Sequence, residues 1–177
     1  SQRMSRLISD MLELAKLDRN PELATSQVRL DALAADVVAA ATAIHDGRTV
    51  QTDFDDEPVC VIGDEDLLRQ ALTNLVGNAL DHTDPPATVT VSVTRNGSGA
   101  AVRVSDDGPG MSADERSRAT ERFYRGDPSR SRSSGGAGLG LAIVESVITA
   151  HHSELCLEST PGAGTSVTFT LPAHITS

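Results

Sequence analysis

Two asparagines, Asn74 and Asn78, stand four residues apart in the stretch NLVGNALDHT. On a helix that spacing aligns them with Gln70 and Asp81, while Leu68, Ala71, Leu72, Leu75, Ala79 and Leu80 make a separate apolar face. An amide oxygen is a hard ligand suited to Mg²⁺, which keeps several waters and accepts few protein groups. In SDDGPGM, Asp106 follows an alternating stretch, and Gly108 and Gly110 frame Pro109. Glycines there let a flat ligand approach the backbone, and a fixed carboxylate accepts a hydrogen bond from an exocyclic amine. In GGAGLGLAI, Gly135, Gly136, Gly138 and Gly140 directly precede an apolar helical run. Backbone N–H groups at such a helix start can cradle phosphates. The segment lacks the Lys-Ser/Thr ending of a P-loop and the strand that precedes a dinucleotide-binding turn. Alone, each feature has a plain alternative: a solvated helix face, an ordinary turn, a flexible linker.

The elements that must position these residues follow from periodicity. A chain of 177 residues holds one well-buried domain and a short appendage. With 38% hydrophobic residues but only 2% aromatics, its core must be built from Ala, Val, Leu and Ile. Met4, Leu7, Met11 and Leu14, flanked by Ile8, Leu12 and Ala15, predict an amphipathic helix over 1–18 that packs against an upstream neighbour or a second subunit. Asn20-Pro21 ends it. VRLDALAADVVAAATAI reads as a short strand entering an Ala-rich helix that gives way near His45-Asp46-Gly47. RTVQTDF and PVCVIG read as strands, Gly63-Asp64 introduces a helix over 66–81, and alternation around NGSG predicts a hairpin over 88–105. A short helical piece, a Gly-, Ser- and Arg-rich segment over 126–138, the helix LGLAIVESVITAH, and the strands ELCLES and SVTFTL complete the chain. The expectation is an α+β fold, a mixed sheet covered on one face by helices. A doubly wound parallel sheet is disfavoured, because the late turns are too short for crossovers.

A net charge of −10 argues against a general nucleic-acid or anionic-membrane surface, so an anionic ligand must be held locally. Arg122, Arg125, Arg130 and Arg132 supply local positive charge that can meet it. Cys60 and Cys156 lie in short apolar segments and are expected to be buried free thiols, in keeping with a reducing cytoplasm. No apolar run approaches the roughly 18 residues of a membrane span. The opening SQRMSRL looks like the inside of a helix, which implies further chain upstream.

The order of these features, an Asn-bearing helix, DDGPG after a hairpin, then ERFYRGD, GAGLGL and GAGTS, closely resembles the catalytic ATP-binding domain of two-component sensor histidine kinases. The resemblance to this part of the GHKL superfamily runs from about Val28 to Pro172. It implies a two-layer α/β sandwich of the GHKL (Bergerat) type. It also implies the end of a dimerisation and phosphoacceptor hairpin over 1–20, a linker over 21–27, a catalytic domain over 28–174 and an ATP lid over 126–137. By the same resemblance Asn78 is the Mg²⁺ ligand, Asn74 lies near the phosphates and Arg125 reaches the terminal phosphate, these three forming the catalytic set. Asp106 recognises the adenine amino group, Gly108 and Gly110 shape the adenine pocket, and Thr165 lies near the adenine end. His82 borders the nucleotide, and Gly136, Gly138, Leu139, Gly140 and Leu141 lie beside the triphosphate. Three positions depart from the family pattern. Asp81 replaces a basic residue, Thr120 replaces the aromatic that anchors the lid base and leaves that role to Phe123, and His152-Ser153 replaces a Gly pair.

ATP-hydrolysing members of the superfamily carry a glutamate at the position of Asn74. An amide cannot act as a base, so the resemblance implies transfer of the γ-phosphoryl group to a histidine rather than to water. None of the five histidines has the family's acceptor context, which places the acceptor before Ser1. The implied ligands are ATP and Mg²⁺. The implied partners are the protein's own upstream phosphoacceptor helix, a cognate response regulator and a second copy in a full-length homodimer, with no nucleic acid. The implied setting is a soluble cytoplasmic domain of a protein anchored in the bacterial cell membrane. A serine kinase of the anti-sigma type would lack the opening helix. A module that transfers nothing would not need Asn78, Asp106 and both late glycine motifs.

Overall fold

A computed structural model describes residues 2–97, 99–126 and 136–172. The opening helix, α1, spans Gln2–Leu17. Asn20, at φ 53, turns the chain just before Pro21; a short polar side chain tolerates that left-handed conformation. The apolar stripe of α1 divides. Leu14 and Leu17 are buried and Leu7 partly so, while Met4, Ile8, Met11 and Leu12 are exposed.

Strand β1 (Thr25–Arg29) pairs antiparallel with β3 (Cys60–Asp64). Between them come α2 (Leu30–Ile44) and β2 (Thr49–Phe54). Helix α3 (Glu65–Asp81), the hairpin β4 (Thr88–Asn96) and β5 (Gly99–Asp106), α4 (Ala113–Arg118), α5 (Gly140–Ala150), β6 (Cys156–Ser159) and β7 (Thr165–Pro172) follow. The main sheet has the order β2-β4-β5-β7-β6, with β2 parallel to β4 and every other pair antiparallel. This is the mixed sheet expected from the alternation and short turns. Val89, Val91, Val93, Val102 and Val104 alternate inward beneath α2 and α3, and Thr90, Ser92, Thr94 and Arg103 take the other face. Among the described residues the core is aliphatic except for Phe169 on β7. Part of α1 packs on α5, so some of its apolar stripe is covered within the chain.

The start of α3 is fixed from two sides. Asp64 caps it, accepting from the Leu67 N–H at 3.2 Å, and its own N–H donates to Nε2 of the buried His151 at 3.0 Å. His151 Nδ1 lies 2.8 Å from the Val147 carbonyl, so one ring ties the end of α5 to the start of α3. A Cβ at Gly63 would stand 2.7 Å from Leu68 Cδ1, which explains the glycine before the cap. The cysteine expectation needs correction: Cys60 is half-buried and Cys156 exposed. Cys156 lies on an edge strand, where alternate side chains turn to solvent.

His152, at φ 58, stands in a conformation that favours the glycine of the family pattern. Its backbone adopts the left-handed region that closes α5, with the Ser153 N–H bonded to Ile148 O at 3.1 Å. His152→Gly is expected to raise stability by about 0.5–1 kcal/mol, because the left-handed penalty outweighs the added freedom of the unfolded chain. A higher urea midpoint with an unchanged slope is the sign to look for.

Candidate nucleotide-binding site

Helices α3 and α5 pack together, and the contact brings two of the sequence motifs into one place. A Cβ at Gly140, the first residue of α5, would stand 4.0 Å from Asn74 Oδ1. Leu139, the N-cap of α5, supplies no side-chain cap bond. The first N–H groups of that helix are thus open to an outside acceptor, at the positive end of its dipole. Leu139 itself is 1% exposed, so beside a triphosphate it can offer only its backbone. Leu141 also packs partly against the core. Gly136 is exposed, and a Cβ there would meet nothing.

Asn78 lies one turn beyond Asn74, half-buried, and its carbonyl accepts from the His82 N–H at 3.0 Å where α3 ends. His82 is exposed and near enough to Asp106 to favour its charged form. Asp81 reaches across to α2: its carboxylate lies 3.3 Å from His45 Nε2, a local partner for the acid that replaces the family's basic residue.

Asp106 ends β5, opposite Thr165 at the start of β7. Burial pushes its carboxyl above the ordinary value of 3.8; the Gly108 N–H at 2.9 Å, the Thr165 backbone N–H and His82 oppose that rise, and Asp107 adds to it. An acid held above its ordinary value stabilises the fold fully below that value and loses the contribution as pH rises through the raised one. Asp106→Asn is therefore expected to be no less stable than the natural protein near neutral pH, with its relative advantage growing as pH rises from 3.8. Denaturant titrations across that range check it. The same substitution is expected to weaken adenine-nucleotide affinity about 10-fold or more, through loss of a charge-assisted acceptor.

The turn after β5 and the turn between β6 and β7 interlock below Asp106. The Gly162 N–H donates to Pro109 O at 2.7 Å, and the Met111 N–H donates to Ser159 Oγ at 2.8 Å. Ser159 Oγ also lies 3.0 Å from Gly164 O and 2.8 Å from Thr165 Oγ1. A Cβ at Gly110 would overlap the Thr160 carbonyl, and one at Gly164 would overlap that of Asp106. Sequence reasoning missed Ser159, because a serine between a strand and a proline turn carries no signal of its long-range partners.

At the flanks of the Gly- and Arg-rich segment, the Phe123 N–H donates to Gly138 O at 3.0 Å. A Cβ at Gly138 would stand 2.7 Å from Tyr124 O. Phe123 has φ 63 and is 54% exposed, so it does not anchor the segment in the core as expected; Tyr124 lies beneath the Arg118 guanidinium at 4.3 Å. Arg122 departs from its expected role too. Its guanidinium takes both oxygens of Asp18, just past α1, at 2.6 and 2.8 Å. Arg125 is exposed at the edge of the segment, while Arg130, Arg132 and Gly135 lie outside the described residues.

The motifs thus meet in one place: amides on α3, an uncapped α5 start and a half-buried acid at the strand ends. Residues 63–175 match the family described as histidine kinase-, DNA gyrase B- and HSP90-like ATPase. The chain belongs to that family. As a member it carries the family's ATP-binding fold. The probable sensor histidine kinase TcrY of Mycobacterium tuberculosis is 40% identical over 162 residues, covering 92% of this chain and 34% of TcrY. The sensor-like histidine kinase SenX3 of the same species is 34% identical over 177 residues, covering 98% of this chain and 43% of SenX3. The chain therefore spans less than half the length of these curated relatives. Among solved structures, the mycobacterial sensor histidine kinase MprB superposes with a TM-score of 0.74 at 28% identity, over 85% of this chain and 100% of that one. Full-length ShkA in complex with AMPPNP gives 0.83 at 27% identity, over 97% of this chain and 36% of that one.

Proposed function

We propose that this domain binds Mg-ATP and transfers the γ-phosphoryl group to a histidine on a helix outside the residues described. The observation that carries the reading is the placement of Asn74, an amide, against the open start of α5. An amide there can orient a phosphate but cannot deprotonate water, so positioning for a better nucleophile is the chemistry that remains. A neutral imidazole has a lone pair ready and needs no such base.

The chain's residues divide the work. Asp106 accepts a hydrogen bond from the adenine amino group, with Gly108, Gly110 and Thr165 shaping the pocket around it. His82 borders the base. The backbone N–H groups from Gly138 through Leu141, leading into α5, face the phosphates, and Arg125 reaches the terminal one from beside the lid over 126–137. Asn78, half-buried on α3, offers a hard amide oxygen and would be the residue that holds Mg²⁺. When bound it neutralises charge on the transferring group.

In this reading residues 1–20 end a dimerisation and phosphoacceptor hairpin, 21–27 link it, and 28–174 form the catalytic domain. The exposed Met4, Ile8, Met11 and Leu12 support pairing of α1 with further helices, within a homodimer of the whole protein. A cognate response regulator would accept the phosphoryl group in turn. Membrane anchoring is proposed for the whole protein; among the described residues no helix is long and apolar enough to cross a membrane.

The test supplies the domain with Mg-ATP and an intact hairpin carrying the acceptor histidine. An acid-labile, base-stable phosphate on the hairpin is expected. ATP hydrolysis without phosphoprotein would falsify the transfer reading.

A further inference from the structure

Helix α3 carries both site amides, yet it has no basic residue in its last turn to meet its open carbonyls. An arginine from a distant element does so. Arg48, just before β2, donates from Nη1 to Leu80 O at 2.7 Å and to Thr83 O at 2.6 Å. Its Nη2 donates to Thr83 Oγ1. Three acceptors on one planar fork fix both the helix end and the residue beyond it, a geometry that a lysine cannot reproduce.

Thr83 passes this restraint on. It is 3% exposed, and its hydroxyl donates to Ala79 O at 2.8 Å. Its methyl group lies so close to Gly108 that a Cβ there would overlap it. Gly108 in turn donates its N–H to Asp106 Oδ1 at 2.9 Å. The contacts run without a gap from Arg48 through Thr83 and Gly108 to the carboxylate proposed to read the base. They arise from the start of β2, the end of α3 and the turn after β5, three elements that no local sequence signal joins.

We infer that Arg48 is a positioning residue for base recognition: it holds Thr83 against Gly108 and thereby sets the direction of the Asp106 carboxylate. The inference rests on the ATP reading above. It assigns Arg48 no contact with nucleotide, so its loss acts on the choice of base before it acts on phosphate binding.

Calorimetric titration of the 177-residue chain with ATP and with ITP separates the possibilities, because ITP keeps the triphosphate and lacks the 6-amino group. The natural protein is expected to prefer ATP. Arg48→Lys, which keeps the charge and loses the fork, is expected to lower the ATP-to-ITP affinity ratio about 10-fold, with ITP affinity little changed. Thr83→Ser keeps the hydroxyl bonded by Arg48 and removes only the methyl against Gly108; a fall of about 3-fold or more in the same ratio is expected. It carries the test if Arg48→Lys does not fold. A role confined to stability would lower the melting temperature and leave the ratio unchanged, and that result overturns the inference. A natural protein that binds neither nucleotide would instead overturn the ATP reading itself.

Discussion

Alanine at position 164 is expected to destabilise the protein by about 3 kcal/mol or more, the sum of a left-handed backbone penalty and a forced overlap. Gly164 has φ 83, and its missing Cβ leaves room for the Asp106 carbonyl. Both sides of that contact are backbone. The register of β5 and β7, with Asp106 opposite Thr165, holds them at fixed separation, so no rotamer change relieves the clash. Gly162 is the control. It has φ 80 in the same turn, and a Cβ there would meet nothing within 4 Å, so Gly162→Ala bears only the backbone penalty of about 1–2 kcal/mol. Urea melts of the two variants give the overlap as their difference, and equal losses would show that the two turns do not interlock as described. Nucleotide affinity should fall with Gly164→Ala even where the protein remains folded, since the displaced backbone is that of Asp106.

Removal of the Asn78 amide is expected to reduce phosphoryl transfer about 10²–10³-fold, the loss typical of deleting one fixed group that stabilises charge in a transition state. Asn78 is half-buried on a helix, and alanine is a better helix former, so Asn78→Ala should change stability by less than about 1 kcal/mol. The assigned role is tied to the metal, and that gives a sharper comparison than rate alone. With Mg²⁺ present the variant should bind ATP more weakly than the natural protein; with the metal chelated the two should bind alike. A difference that survives chelation would place Asn78 on the nucleotide rather than on the ion.

The parts of the site that a sequence shows are those set by short-range period. The two amides of α3 share a face because four residues make about one turn, and the hairpin ending at Asp106 follows from strict alternation around NGSG. What lay hidden depends on partners far along the chain. The charge of Arg122 is plain in the sequence, but not its bond to Asp18, and Asp81 gives no sign of His45. Leu139 sits among glycines at the start of an expected helix, and only the fold shows that its side chain belongs to the core. Cys156 lies in an apolar run, but only the strand order reveals that its strand is an edge. His152 is an intermediate case: its departure from a Gly pair is visible in the sequence, and the cost of that departure, a side chain at positive φ, is not.

The bond from Phe123 to Gly138 has a further consequence in polymer terms. It closes the chain into a ring before the Gly-, Ser- and Arg-rich stretch between those residues begins. The entropy lost on closing such a ring grows only with the logarithm of its length, so each doubling adds about 0.6 kcal/mol. Residues inserted within the ring therefore burden the fold little, whereas any side chain at Gly138 breaks the clasp that closes it. Length and composition inside the ring can be shaped for the ligand almost independently of folding, and the constraint falls on two positions at its neck.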